Sequence, residues 1–341
     1  MAEKSYRDLK SEVWDTGLCA RCGACIAVCP ADALSFSPGS PDHPASSGYC
    51  KMENDGVRCG ACYRVCPRVE GGEVSSPLLG EYLEAITARA TFAVPGKQSG
   101  GAVTAILAHA LDAGLIDAVV TVSEDHWTKK PASTVITRRE ALVAQAGSRY
   151  NWWVPMLAAL KEAVIVRKYR RVAVVAVPCA AEAVARMRAS DFDLLAPYGR
   201  AVRLLVGLFC TESFDYGKLM EGKIRGELGI EPWEVSRLDV KGKLEVTTTD
   251  GRVLEIPLKD LEACIPSGCH HCTDFAAVAA DISAGAVGSP QGYTTLLVRT
   301  PTGRGFVEGA LAAGLLEAGG EADLAKVEFL AKKKRARGRQ D

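Results

Sequence analysis

A mixed α/β domain behind an N-terminal ferredoxin-like unit with two iron–sulfur clusters is the fold this 341-residue sequence predicts. Three observations carry that expectation. Eight of the 13 cysteines fall between Cys19 and Cys66 in two runs that each end in C-x3-C-P. From about Leu78 onward, helix-spaced apolar segments alternate with short β-branched runs, the pattern of a layered α/β domain. Between the two regions lies the polar, glycine-bearing stretch 70–76. The expected division is therefore a ferredoxin-like unit over 1–76, an α/β domain over 77–320 and a basic helix or tail over 321–341.

The cysteine runs come first. Cys19, Cys22, Cys25 and Cys29 precede Pro30, and Cys50, Cys59, Cys62 and Cys66 precede Pro67. Thiolates two residues apart in a tight turn grip three corners of one cube, while the fourth cysteine, ahead of proline, reaches the other cluster. That rule assigns Cys19, Cys22, Cys25 and Cys66 to one [4Fe–4S] cluster. Cys50, Cys59, Cys62 and Cys29 go to a second. Gly23 and Gly60 suit the close backbone approach of such loops. The gap after Cys50 is longer than usual, which singles out that ligand. Zinc is the competing reading, but zinc sites favour well-separated C-x2-4-C pairs joined by histidine, and His43 is the segment's one histidine.

Along the chain, 6–13 reads as a short helix and 37–47 as a surface loop rich in Ser, Pro and Gly. Segment 102–113 has helical spacing and stops at Gly114, a natural C-cap. Helices are expected at 138–145, 154–166, 180–188, 303–316 and 322–337. Strands are expected at 118–122, 172–177, Val202–Leu208 and 293–299, with a hairpin over 238–256 turning at Asp250-Gly251.

Composition removes several function classes. The 41 basic and 41 acidic residues balance, so no global field calls for nucleic acid, and aromatics are only 6%. No apolar run is long enough for a transmembrane segment. Cysteines in motif spacing without a secretory signal point to a reducing cytoplasm. The basic run from Lys332 to Arg339 holds six positive residues. It is either a solvated tail or an arm for an acidic partner or the cytoplasmic face of a membrane.

Chemistry in the larger domain gathers at a few places. Gln98, Ser99, Gly100 and Gly101 stand immediately before a helix, where free N–H groups and glycines can seat a phosphate or pyrophosphate; a serine-capped loop is the plainer alternative. Ser148, Arg149 and Tyr150 offer a hydroxyl, a guanidinium and a ring, or simply a surface turn. Cys179 and Cys210 each follow a strand, where α/β sheets gather ligands, and Cys269 and Cys272 form a C-x2-C pair. These four can hold a third [4Fe–4S] cluster, or Cys179 and Cys210 can be ordinary core thiols. Cys264 is left over without a role. His270 and His271 keep zinc open at this pair.

The stretches KQSGGAVTAILAHALDAGLIDAVV (97–120), GSRY (147–150), VPC (177–179), GLFCTESF (207–214) and CHHCTDFAAVAADISAGAVGSPQGYTTLLVRT (269–300) occur in one order across the domain. Together they resemble the family of coenzyme F420 hydrogenase and dehydrogenase beta subunits. With two N-terminal clusters fused to it, the chain is most similar to the electron-input subunit of membrane-bound oxidoreductases that pass electrons from the reduced coenzyme to a quinone or phenazine. The resemblance implies a flavoprotein domain with FAD bound at Gln98, Ser99, Gly100, Gly101, Ser148, Arg149 and Tyr150. It also implies a third cluster on Cys179, Cys210, Cys269 and Cys272, and coenzyme F420 as substrate. Hydride transfer through the flavin N5 then requires no catalytic side chain. Membrane-bound or soluble redox subunits are the implied partners. Rivals are the beta subunit of a hydrogenase or formate dehydrogenase, a ferredoxin-linked reductase, and a non-enzymatic iron–sulfur module without FAD. A zinc-dependent nucleic-acid binder is disfavoured by the neutral charge.

Overall fold

The computed structural model describes residues 4–36, 42–69 and 77–338. The expected boundary at 76 and the first part of the loop expected at 37–47, residues 37–41, lie outside those residues. Eight strands build the central sheet: β1 Glu84–Ala90, β2 Ala118–Glu124, β3 Pro131–Ile136, β4 Val172–Ala176, β5 Val202–Leu208, β6 Ile282–Gly285, β7 Thr294–Val298 and β8 Leu316–Glu321. Their order is β8-β1-β7-β6-β5-β4-β2-β3. Strands β6, β5, β4 and β2 pair in parallel; β3, β7 and β8 run opposite to their neighbours, which leaves β1 parallel in direction to the central four.

Alternation along the strands decides which layer each side chain joins. On one face, Val119, Ala173, Leu204 and Val206 pack against α3 (Ala102–Asp112) and α5 (Pro301–Ala312) through Ile106, Leu107, Phe306 and Val307. On the other face, Val120, Val172, Val174 and Leu205 pack against α4 (Pro178–Ala189). The same core includes Ala24, Ala27 and Val28 of α1 (Ala24–Val28) and Ala61 and Val65 of α2 (Ala61–Val65). The ferredoxin-like unit is thus bedded into the sheet's second layer. Contacts across this seam are close: a Cβ on Gly268 would lie 2.1 Å from the Cys19 carbonyl oxygen, and one on Gly23 would lie 2.3 Å from Pro155 Cβ.

Several elements differ from the expected ones. The hairpin at 238–256 is two turns of a three-stranded meander, Val235–Val240, Lys243–Thr248 and Val253–Pro257, packed on the helix Gly217–Glu227. Helical spacing over 303–316 covers both α5 and the first residue of β8, which Gly314 (φ 67°) separates. Of 154–166, the end, Glu162–Val166, forms a regular helical segment. Strands β1, β3, β6 and β8 stand where the sequence pattern suggests none. The basic helix α6 (Leu324–Arg337) is docked rather than free, with Val327 and Ala331 buried against Leu79, Phe275 and Leu297. Among the described residues no helix is long and apolar enough to cross a membrane.

Candidate redox site

The N-terminal cysteines surround two separate cavities. Cys19, Cys22, Cys25 and Cys66 line the first. Cys29, Cys50, Cys59 and Cys62 line the second. Each grouping crosses between the two runs because α1 and α2 begin at left-handed glycines, Gly23 (φ 83°) and Gly60 (φ 93°), and end at extended Cys29 and Cys66. The turn of the chain at each proline swings the last cysteine away from its own run. Cys50 lies in its quartet despite the long gap, since the intervening residues coil into the helix Lys51–Asp55.

Burial is the chief electrostatic fact here. It pushes the Cys19, Cys22 and Cys62 thiols up to about 12, and Cys25 well above the ordinary range. Neighbouring thiolates add to the rise at Cys25 and Cys62. Four buried thiolates need a compensating cation, which an iron–sulfur cluster supplies. Arg21 and Arg68 stand on the rim of the first cavity. Arg21 is 3% exposed, its Nη1 donates to Asp215 Oδ2 at 3.1 Å, and its Nη2 is buried with no acceptor. Arg68 Nε is likewise buried without an acceptor. These orphaned donors fit an anionic group that accepts hydrogen bonds. Among the described residues no three metal-binding side chains converge closely enough for a single ion, so the quartets open around cavities rather than closing on a point.

The remaining candidate cysteines meet at the carboxyl edge of the sheet. Cys179 follows β4 at the start of α4, and Cys210 follows β5. Cys269 and Cys272 come from the short helix Ser267–His270 and its exit. Cys179 and Cys210 each feel the charges of other cysteines of this quartet, and Cys179 also feels Cys22 of the first cavity. Burial would raise the Cys272 thiol, but Lys334 and Arg68 outweigh it and hold it below its ordinary value. Cys264 is elsewhere, buried in the meander core. His270 Nδ1 faces Glu262 at 3.5 Å.

The two loops suited to phosphate lie side by side on the same edge. The loop after β1 carries Gln98, Ser99, Gly100 and Gly101 into the N-terminus of α3, where Gly101 (φ 74°) leaves the first N–H groups without a side-chain cap. Gly100 N donates to Thr294 Oγ1 at 3.0 Å, and Ser99 Oγ meets the same hydroxyl at 3.0 Å. Gln98 Nε2 donates to the Leu238 carbonyl at 3.3 Å, tying the loop to the meander. A Cβ on Gly96 would lie 2.2 Å from the Ala146 carbonyl, so this loop presses directly on the segment holding Ser148, Arg149 and Tyr150. Arg149 Nε pairs with Glu124 Oε2 at 3.2 Å, at the end of β2, yet off the line of a hydrogen bond. Burial nevertheless leaves the Glu124 carboxyl above its usual range, with Arg149 and Lys129 offsetting only part. Tyr150 is raised to about 12, by burial and then by Asp239. Trp152 turns toward the ferredoxin-like unit, its Nε1 donating to the Arg21 carbonyl at 3.2 Å and its ring 4.1 Å from the Arg21 guanidinium. Trp153 stacks edge-on against Tyr216.

Comparison with known proteins decides the family. Residues 85–161 match the N-terminal model, and 169–323 the C-terminal model, of the coenzyme F420 hydrogenase/dehydrogenase beta subunit. Residues 12–35 match a 4Fe-4S binding domain. The chain belongs to the family of coenzyme F420 hydrogenase/dehydrogenase beta subunits. An uncharacterized protein of Methanocaldococcus jannaschii is 42% identical over 99% of both chains. A subunit of the F(420)H(2) dehydrogenase of Methanosarcina mazei is 32% identical, covering 87% of this chain and 84% of that one. A chain of the F420-reducing [NiFe] hydrogenase complex of Methanosarcina barkeri superposes with a TM-score of 0.72 at 32% identity, over 78% of this chain and 92% of that one. As a member of this family, the chain is an F420-linked oxidoreductase subunit that handles electrons through iron–sulfur.

Sequence reasoning missed two participants. Arg68 and Lys334 frame the third quartet, and only the run C-P-R after Cys66 hinted at the first.

Proposed function

We propose that this protein oxidises reduced coenzyme F420 and passes the electrons singly, through three [4Fe–4S] clusters, to a partner protein. Gln98, Ser99, Gly100, Gly101, Ser148, Arg149 and Tyr150 would hold FAD, and the three cysteine quartets would hold the clusters. When bound, FAD supplies the conversion between a two-electron hydride donor and one-electron iron–sulfur acceptors. The chain's own residues orient and screen. Uncapped N–H groups of α3 and the Arg149 guanidinium suit a pyrophosphate. Buried thiols and orphaned arginine donors suit anionic clusters.

The observation that carries the reading is the shared carboxyl edge. Loops after β1, β4 and β5 bring the flavin-type motif and the Cys179 quartet to one side of the sheet, and Cys179 lies within electrostatic reach of Cys22 in the first cavity. A route then runs from the Cys179 quartet to the Cys22 quartet and on to the Cys50 quartet. The partner we favour is a membrane quinone- or phenazine-linked complex, in keeping with the 32% identity to a subunit of an F(420)H(2) dehydrogenase. A soluble hydrogenase is the second reading, favoured by the 0.72 TM-score to a hydrogenase chain.

The test is anaerobic. Reduced coenzyme F420 added to the holoprotein should bleach the flavin and reduce a one-electron dye. No reduction by protein carrying intact FAD and clusters would remove the coenzyme assignment.

A further inference from the structure

The basic end of the chain has no role in the function proposed above, yet the structure turns it inward. Helix α6 is fixed by Val327 and Ala331, both essentially unexposed. Its last turn lies across the third quartet. Lys334 is 4% exposed and its Nζ donates to the Cys210 carbonyl at 2.6 Å. Arg337 donates to Glu212 Oε2 at 2.7 Å and to the Thr211 carbonyl at 2.8 Å, pinning the loop that follows Cys210. At the helix end, a Cβ on Gly338 would lie 3.0 Å from the Cys272 carbonyl, so the chain touches the second half of the quartet as well. From the opposite unit, Arg68 donates through Nη2 to the Gly268 carbonyl at 3.1 Å and through Nη1 to the His271 carbonyl at 3.4 Å.

A buried ammonium is costly unless an anion faces it. Lys334 and Arg68 both lie within electrostatic reach of Cys269 and Cys272. Asp274 is the carboxylate nearby, one negative charge against these two cations, and its Oδ2 already accepts from Val278 N at 3.0 Å. The site therefore expects more negative charge than the protein itself provides. A cysteine-ligated cluster carries net negative charge that grows by one on reduction, and a fixed cation stabilises the reduced form more than the oxidised one.

We propose that Lys334, clamped by the C-terminal helix, is a positioning residue that closes the third cysteine quartet and raises its cluster's reduction potential, with Arg68 as its counterpart across the site. The inference rests on the third cluster of the proposed function. It gives that cluster an electron-accepting bias, since two cations from opposite units converge on it.

The test uses full-length holoprotein under anaerobic conditions, with iron analysis and an EPR-monitored redox titration. The third cluster's signal is identified as the one that Cys179→Ala removes. Lys334→Gln keeps a hydrogen-bond donor for Cys210 but discards the charge; Lys334→Met discards both; Lys334→Arg keeps both. Expected for Lys334→Gln is unchanged iron, a third-cluster midpoint lowered by a tenfold or greater change in the reduced-to-oxidised ratio, about 59 mV per tenfold for one electron, and unmoved signals from the other two clusters. Lys334→Arg should restore the wild-type midpoint, and Lys334→Met should lower it at least as far as Gln. A wild-type midpoint in Lys334→Gln overturns the inference while leaving the third cluster standing. Wild-type protein with only about eight irons overturns the third cluster itself.

Discussion

Replacing Gly100 with alanine should weaken flavin binding while sparing the clusters. Gly100 crosses the ends of β1 and β7, with its carbonyl accepting from Ala90 N at 2.9 Å and its N–H donating to Thr294 Oγ1 at 3.0 Å. An added Cβ would fall 2.5 Å from the Ala88 carbonyl oxygen, 2.7 Å from Thr294 N and 2.8 Å from the Tyr293 carbonyl carbon. All three are backbone atoms in or beside central strands and have little freedom to retreat. The loop must therefore back away by nearly 1 Å (~0.9 Å to reach an ordinary contact), and overpacking of this kind costs about 1–3 kcal/mol. Phosphate hydrogen bonds near 2.9 Å do not survive such a shift. At 1.4 kcal/mol per tenfold, the FAD dissociation constant should rise roughly 5- to 100-fold. The assay is fluorescence titration of deflavinated protein with FAD, with iron content as internal control. Gly305→Ala, where no atom lies within 4 Å of the new Cβ, is the neutral comparison. Unaltered FAD affinity in Gly100→Ala, with the Gly305 variant also unaltered, would refute the placement of the flavin on this loop.

Three further outcomes are expected. Cys179→Ala should lower iron from about twelve to about eight per chain without touching the N-terminal cavities; unchanged iron would remove the third quartet. Asp281, 5% exposed, accepts from Leu205 N at 2.8 Å, Arg188 Nη2 at 2.9 Å and Thr300 Oγ1 at 2.9 Å, so it knits β5 to the turn before α5. Asp281→Asn should strip Arg188 of its charge partner and cost about 3 kcal/mol in thermal or denaturant unfolding; a loss below about 1 kcal/mol would contradict that pairing. Tyr150, pushed up to about 12 by burial, holds its proton more tightly folded than unfolded. Its contribution to stability is complete below about pH 10 and is lost as pH climbs from about 10 to 12. Melting curves across that range should be flatter for Tyr150→Phe than for wild type, and parallel curves would show that Tyr150 is not the group responsible.

The sequence by itself determined what depends on neighbouring residues. Spacing in C-x2-C-x2-C-x3-C-P fixes how a tight turn aims its thiols, because glycines at Gly23 and Gly60 and prolines after Cys29 and Cys66 act within a few bonds. The structure accordingly lines each N-terminal cavity with cysteines from both runs. Apolar spacing likewise marked α3, α4, β4 and β5, whose side chains face a core on period alone. Edge strands gave no such signal. β8 is a mostly exposed Leu-Glu-Ala-Gly-Gly-Glu with a register shift between Ala318 and Gly320, and β3 opens on Pro131, so both take their strand character from pairing with β1 and β2. Cys179, Cys210, Cys269 and Cys272 could be named as one set from the sequence, but their meeting is a tertiary effect, since parallel strands bring distant loops to one edge. Tertiary structure alone decided which way the C-terminal helix presents its charge. A run of lysines and arginines reads as solvated surface until packing of Val327 and Ala331 rotates Lys334 toward Cys210, and the energy of a charge depends on what surrounds it in space rather than on its neighbours in the chain.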